Sequence, residues 1–248
     1  MPWADWLLLG LVTLVAAGAQ GATGFGFALL VVSFYLAILN STAAVQLAIT
    51  GSLAISLALA PGLWRVSPRG LLIRLCLGTL VGLPLGILAY RSASLEAIKV
   101  VVACLIIGFA GYLLLVRRPG GEAAAGTHAV ADLGVGLVSG AMATGLGMPG
   151  PAVLLYLQAT GAAKQATRAT TLSLFVFSYL GALALQAGLV GIAPGIWLAA
   201  ALLAPLALLG AIGGHLLSRR LDERVFRAAV LAILLAAGAY TLWSAIVF

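Results

Sequence analysis

The chain has 248 residues, of which 63% are hydrophobic and only 8% charged, with a formal net charge of +7. Soluble domains carry about 25% charged residues, so the composition excludes a soluble globular protein and points to one that spans a membrane. The basic residues fall mostly in short connections, where they orient a membrane protein; with no aromatic-basic pattern or zinc-ligand spacing, no nucleic-acid partner is expected.

Residues 6–64 and 169–218 contain no Asp, Glu, Lys or Arg. A helix crosses the bilayer with roughly 20 apolar residues, so each run holds more than one span. Membrane strands would alternate apolar and polar residues, and these runs do not. Trp3 and Trp6 read as interfacial anchors, and no basic region of a cleaved signal peptide precedes them. Residues 6–39 are too long for one ordinary span. Gly18, Gly21, Gly24 and Gly26 divide them into halves, about 6–17 and 26–39. Asn40-Ser41-Thr42 starts a helix that runs to about Leu63. Pro61, Arg65 and Pro68 end it and open a span over about 70–90. After a turn at Arg91 to Ser94, a further span covers about 95–116. Cys76 and Cys104 lie inside these spans and read as small buried apolar side chains.

Residues 117–128 have linker composition, and the pattern then recurs. Residues 129–161 are a second long apolar segment, broken from Gly145 to Pro151. Helices follow over about 164–187, 194–216 and 224–247, with a turn at Arg219 to Asp222. Thr23-Gly24-Phe25-Gly26 is echoed by Thr144-Gly145-Leu146-Gly147. Pro68 matches Pro194, Arg91 matches Arg219, Lys99 matches Arg227 and Tyr112 matches Tyr240. The ordered series reads as an internal duplication, with membrane repeats 1–116 and 129–248 joined by a cytoplasmic linker.

Charge arbitrates the topology. If both broken segments cross, the thirteen Lys and Arg divide five to eight between the two sides. If both are re-entrant hairpins, only Arg91 and Lys99 lie opposite the other eleven, a strong positive-inside signal. The expected fold is therefore all-α, with two inverted repeats, each a broken or re-entrant helical hairpin plus three transmembrane helices. Both termini then face outward. Eight crossings with parallel repeats is the rival.

A half-helix that ends inside a membrane protein points free N–H groups and a positive dipole end inward, which suits an anion. The candidate substrate-binding residues are Thr23, Gly24, Phe25 and Gly26 in the first break, and Thr144, Gly145, Leu146 and Gly147 in the second. Pro149 and Pro151 suit the first turn of a helix after the second break. Arg168, one helical turn beyond Lys164, is placed beside the second hairpin to pair with an oxyanion. Gln46 and Thr50, with Thr171 at a corresponding helix, complete the candidate set. The second tip therefore reads as the better equipped. Each feature has a structural alternative: close helix packing for the glycines, snorkelling for Arg168, interhelical hydrogen bonds for Gln46 and Thr50. Arg74 is a weaker site candidate.

Asp5, Glu96, Glu122, Asp132, Asp222 and Glu223 all fall at span ends or in connections, so no carboxylate is expected at mid-membrane depth. This disfavours a cation substrate and leaves proton coupling without an obvious carrier. No metal, cofactor or enzymatic activity is expected. Nor is there a phosphate-binding Gly-x4-Gly-Lys-Ser/Thr loop to power transport with ATP. From the residues alone the reading is a carrier of a small anion, with an anion channel or a carrier of small carboxylates as alternatives.

The four-element halves, each led by a glycine-rich break, resemble the TauE/SafE sulfite-exporter family of membrane anion transporters. The residues that carry the resemblance are Gly21 to Gly26, Gly140 to Pro151 and Ala166-Thr167-Arg168-Ala169-Thr170-Thr171-Leu172-Ser173. The resemblance implies a multi-pass carrier of the bacterial inner membrane that moves sulfur-containing oxyanions, such as sulfite or organosulfonates, often outward. A homodimer is compatible with it. Phe25 and Phe27 depart from the pattern, which has small residues there, and the first motif lacks the proline that follows the second.

Overall fold

The computed structural model describes residues 2–115, 128–217, 232 and 234–243. These form the helices α1 (Trp3–Thr23), α2 (Phe27–Leu39), α3 (Ala43–Leu59), α4 (Arg69–Ser92), α5 (Leu95–Leu115), α6 (Ala129–Leu146), α7 (Gly150–Ala159), α8 (Lys164–Leu185), α9 (Pro194–Leu217) and α10 (Leu234–Trp243). A π-turn over Gln186–Val190 prolongs α8. Six of the helices, α1, α4, α5, α6, α8 with its π-turn and α9, are long and apolar enough to cross a membrane. The protein is an all-α, multi-pass membrane protein. Leu77, Leu80, Val81 and Leu88 of α4, and Leu198, Leu202 and Leu209 of α9, are exposed; a lipid solvent suits such outward faces. The linker and the turn at Arg219 to Asp222 lie outside the described residues.

The first break is narrower than the sequence suggests. Helix α1 runs unbroken through Gly18 and Gly21 to Thr23, where the expected half ended near residue 17. Gly21 is there for contact: a Cβ on it would lie 1.9 Å from the Ala211 carbonyl oxygen of α9. The chain actually turns at Gly24 and Gly26, whose φ of 87° and 109° are left-handed. In the second segment α6 continues through Gly145, which packs on Gly86 of α4, and stops at Gly147 with φ of 71°. The two Thr-Gly-x-Gly motifs are thus out of register. The first glycine of one motif ends α1, while the second glycine of the other ends α6.

Each break turns its chain back. The hydroxyls of Thr13 in α1 and Tyr35 in α2 meet at 2.6 Å, although they stand on either side of the break. Two rods that continued in line would separate these positions by about 1.5 Å for every residue. Tyr156 of α7 likewise donates to the Asp132 carboxylate of α6. Both broken segments are helical hairpins.

The bundle is joined by a reciprocal exchange. Helix α1 packs against α9, and α4 against α6. A Cβ at Gly82 would lie 1.9 Å from the Leu137 oxygen of α6, and one at Gly214 would lie 2.0 Å from the Gly18 oxygen of α1. Contacts advance in the same sense along both partners: Gly78, Gly82 and Gly86 meet Leu133, Leu137 and Ala141, while Leu206, Gly210 and Gly214 meet Gly10, Leu14 and Gly18. Both pairs are therefore parallel, and small residues let their backbones touch.

Hydrogen bonds identify the two ends of the bundle. Lys99 Nζ donates to Asn40 Oδ1 at 2.7 Å, and the Tyr90 hydroxyl donates to the Thr42 carbonyl at 3.0 Å, which gathers the α2–α3 and α4–α5 connections. Arg91 lies at this end. Arg65, Arg69, Arg74, Lys164 and Arg168 lie toward the other, where α3 ends and α4, α6 and α8 begin. Arg117, Arg118, Arg219, Arg220, Arg224 and Arg227 fall outside the described residues. Asp132 keeps its expected place at a span end, in the first turn of α6, and the structure adds that it is buried. It accepts from Arg74 Nε at 2.6 Å as well as from Tyr156. Burying a carboxylate is costly without such partners. Cys104 is exposed on its helix rather than buried.

Candidate functional site

The tips of the two hairpins meet across a narrow cavity of about 10 Å³, the space of about one water. Gln20, Phe25, Gly26, Ala28 and Leu29 line it from the first hairpin; Met148, Gly150 and Pro151 line it from the second; Phe175 and Tyr179 close it from α8. Helix α2 starts at Phe27 and α7 at Gly150, so both half-helix N-termini abut the same space. Neither start has a side-chain cap, and first-turn N–H groups have no carbonyl partner within their own helix. The two ends differ in supply, because Pro151 contributes no N–H.

Gln20 and Tyr179 bring the polar side-chain atoms of this cavity, and the buried Tyr179 hydroxyl has no hydrogen-bond partner among the described residues. Gln20 lies one turn before the tip, where its backbone carbonyl accepts the N–H of Gly24 at 2.7 Å and so ends α1. Its side chain is fully buried, and neither the amide nitrogen nor the amide oxygen has a hydrogen-bond partner among the described residues. Leaving such groups unmade costs about 1–3 kcal/mol each. The lining has no charged side chain among the described residues.

The residues singled out from sequence are distributed around this centre. Phe25 and Gly26 line the cavity, and the Phe25 ring stands edge-on to Phe109 at 6.0 Å. Gly24 is next to them and supplies the turn. The Thr23 hydroxyl donates to the Ala19 and Phe25 carbonyls, and the Thr144 hydroxyl donates to Leu83 and Gly140 at 2.7 and 3.0 Å. Both hydroxyls are therefore engaged by backbone. Gly145 and Leu146 are the last turn of α6, and Gly147 caps it beside Val45 and Ile49 of α3. Thr50 bonds its own helix at Gln46 and Leu47. Thr171 is buried, with no partner for its hydroxyl among the described residues.

Arg168 serves the other hairpin from the one expected. Its Nη2 donates to the Gly21 carbonyl at 3.0 Å and lies 3.0 Å from His215 Nδ1. Its stem covers the first tip so closely that a Cβ on Gly24 would be 2.7 Å from Cγ. The second tip is held by neutral groups instead. Gln186, at the start of the π-turn, donates to the Thr144 carbonyl at 2.9 Å and accepts from Gln46 Nε2 at 3.2 Å; Gln46 also donates to the Gly191 carbonyl at 3.0 Å. π-turns often mark functional positions.

Sequence reasoning passed over Gln20, Gln186, Phe175 and Tyr179. Gln20 did carry a signal: it is an uncapped amide in an apolar run, one turn before the break. Phe175 and Tyr179 look like any other aromatic residues on an apolar helix.

A family model described as Sulfite exporter TauE/SafE matches residues 9–241. The chain belongs to that family. Comparison with curated proteins and with solved structures finds no match.

Proposed function

We propose that the protein carries small sulfur-containing oxyanions of the sulfite and sulfonate class out of a bacterial cell, and that it binds them in the cavity between the hairpin tips. Family membership and a bundle of membrane helices make it a secondary transporter of small anions. The observation that carries the finer reading is the meeting of two half-helix N-termini with the buried amide of Gln20. Positive helix ends attract an anion without a buried cation and its desolvation penalty.

In this reading residues 1–116 and 129–248 are inverted repeats, the hairpins re-enter from opposite faces, and the end with Arg65, Arg69 and Lys164 is cytoplasmic. The reciprocal α1–α9 and α4–α6 contacts support the repeat, and the basic end supports the orientation. Transport then rocks or gates one repeat against the other around the cavity. Counterflow in proteoliposomes tests it. Unlabelled sulfite inside the vesicles should stimulate uptake of labelled sulfite severalfold. Uptake without trans-stimulation indicates a pore, and stimulation by acetate but not sulfite indicates a carboxylate carrier.

A further inference from the structure

Resting on that reading, we propose that the cavity selects singly charged oxyanions that also carry a hydrogen-bond donor, and that Gln20 is the residue that determines this specificity. The two helix ends set the charge preference. Each N-terminus is worth about half a positive charge, so α2 and α7 together supply about one. The described lining adds no Lys, Arg or His. The Arg168 guanidinium is turned to the Gly21 carbonyl and lies beside His215, outside the lining. A monoanion is balanced by this field. A dianion brings a second buried charge with no counterpart, which is strongly disfavoured.

Gln20 sets the donor preference, because the lining's other unpartnered polar atom, the Tyr179 hydroxyl, can itself donate to an anion. The Gln20 amide offers two N–H donors and one carbonyl acceptor, and both ends lack partners in a fully buried setting. An oxyanion with acceptors alone satisfies the N–H groups and leaves Oε1 facing negative oxygen. A protonated oxyanion such as hydrogen sulfite in its O–H form, or a hydroxylated sulfonate, satisfies both ends. A site built to bond a hydroxyl rejects an analogue lacking it, because the buried acceptor stays unpaired.

The choice of charge form has a consequence for coupling. A carrier that loads hydrogen sulfite moves a proton on its substrate. The protein then needs no carboxylate or histidine at the cavity to carry one.

Binding to purified protein in lipid nanodiscs, measured by calorimetry, tests both parts. Sulfite affinity should fall about tenfold for each pH unit above the second pKa of the free acid, tracking the monoanion. Ethanesulfonate, a monoanion throughout, should bind equally across the same range. Hydroxymethanesulfonate, of nearly the same shape but with a hydroxyl, should bind at least about tenfold tighter than ethanesulfonate. In Gln20→Leu that ratio should fall to near one, while the protein melts at the same or a higher temperature; Gln20→Met provides a second fold-compatible variant. Sulfite affinity that is flat or rises with pH would overturn the charge argument. An unchanged ratio in both variants would overturn the role of Gln20. Either result leaves sulfur-oxyanion transport standing, whereas no binding by any of the three probes removes that reading along with this one.

Discussion

The two hairpins have the same architecture and different chemistry. Both are a long helix, a left-handed glycine and a shorter helix that folds back, and both bond across the fold through a tyrosine, Tyr35 in one and Tyr156 in the other. The first is held at its tip by the Arg168 guanidinium and presents Gln20 to the cavity. The second is held by the uncharged Gln46–Gln186 pair and has prolines at its turn. Its ion pair, Arg74–Asp132, sits at the open end of the hairpin. The difference teaches that a shared hairpin backbone fixes where a half-helix ends, while the side chains around each hairpin serve separate tasks. The unpartnered amide, that of Gln20, sits on the first hairpin, while the prolines sit on the second.

The comparison breaks most severely at the interfaces that carry the hairpins. Gly82→Val and Gly214→Val each push a side chain into backbone about 2 Å away. Both should lose more than about 3 kcal/mol, seen as loss of the monodisperse peak and of a cooperative melt. Tolerance of one but not the other would show that the two interfaces are not equivalent.

A smaller effect separates the turns. Gly24→Ala and Gly147→Ala each impose about 1–2 kcal/mol of left-handed strain. Only the first adds a contact at 2.7 Å, with Arg168 Cγ; the nearest atom to the second is at 3.4 Å, in Val45. Gly24→Ala should therefore slow proteoliposome transport about tenfold more than Gly147→Ala does. Equal rates would mean that Arg168 yields freely.

The latches give the smallest difference. Arg168→Ala removes a charge-assisted bond and should lower stability by about 2 kcal/mol, against about 1 kcal/mol for Gln186→Leu. Melting temperatures in one detergent measure both. A reversed order would move the stronger latch to the second hairpin.

Much of this organisation is visible in the chain itself. Apolar length sets the helices, and α4, α5 and α9 end within two residues of their expected limits. The breaks after Thr23 and near Gly147 were marked by glycine and proline. What the sequence did not distinguish was one glycine from another. Gly18, Gly21 and Gly145 serve helix contact while Gly24, Gly26 and Gly147 turn the chain, yet all six stand in similar apolar strings. Thr23 and Thr144 looked like donors for an anion, but a hydroxyl on a helix often finds a carbonyl one turn back, as both do.

The sequence alone determined the helical membrane class, the two breaks and the scarcity of acidic groups, because apolar length and backbone freedom are local properties. The tertiary structure alone determined that Arg168 reaches the first tip, that Asp132 is buried beside Arg74, and that Gln20 meets Gly150 and Tyr179 around one cavity. Those facts depend on which turns of distant helices face each other. That register is fixed by backbone contact between helices far apart in the chain.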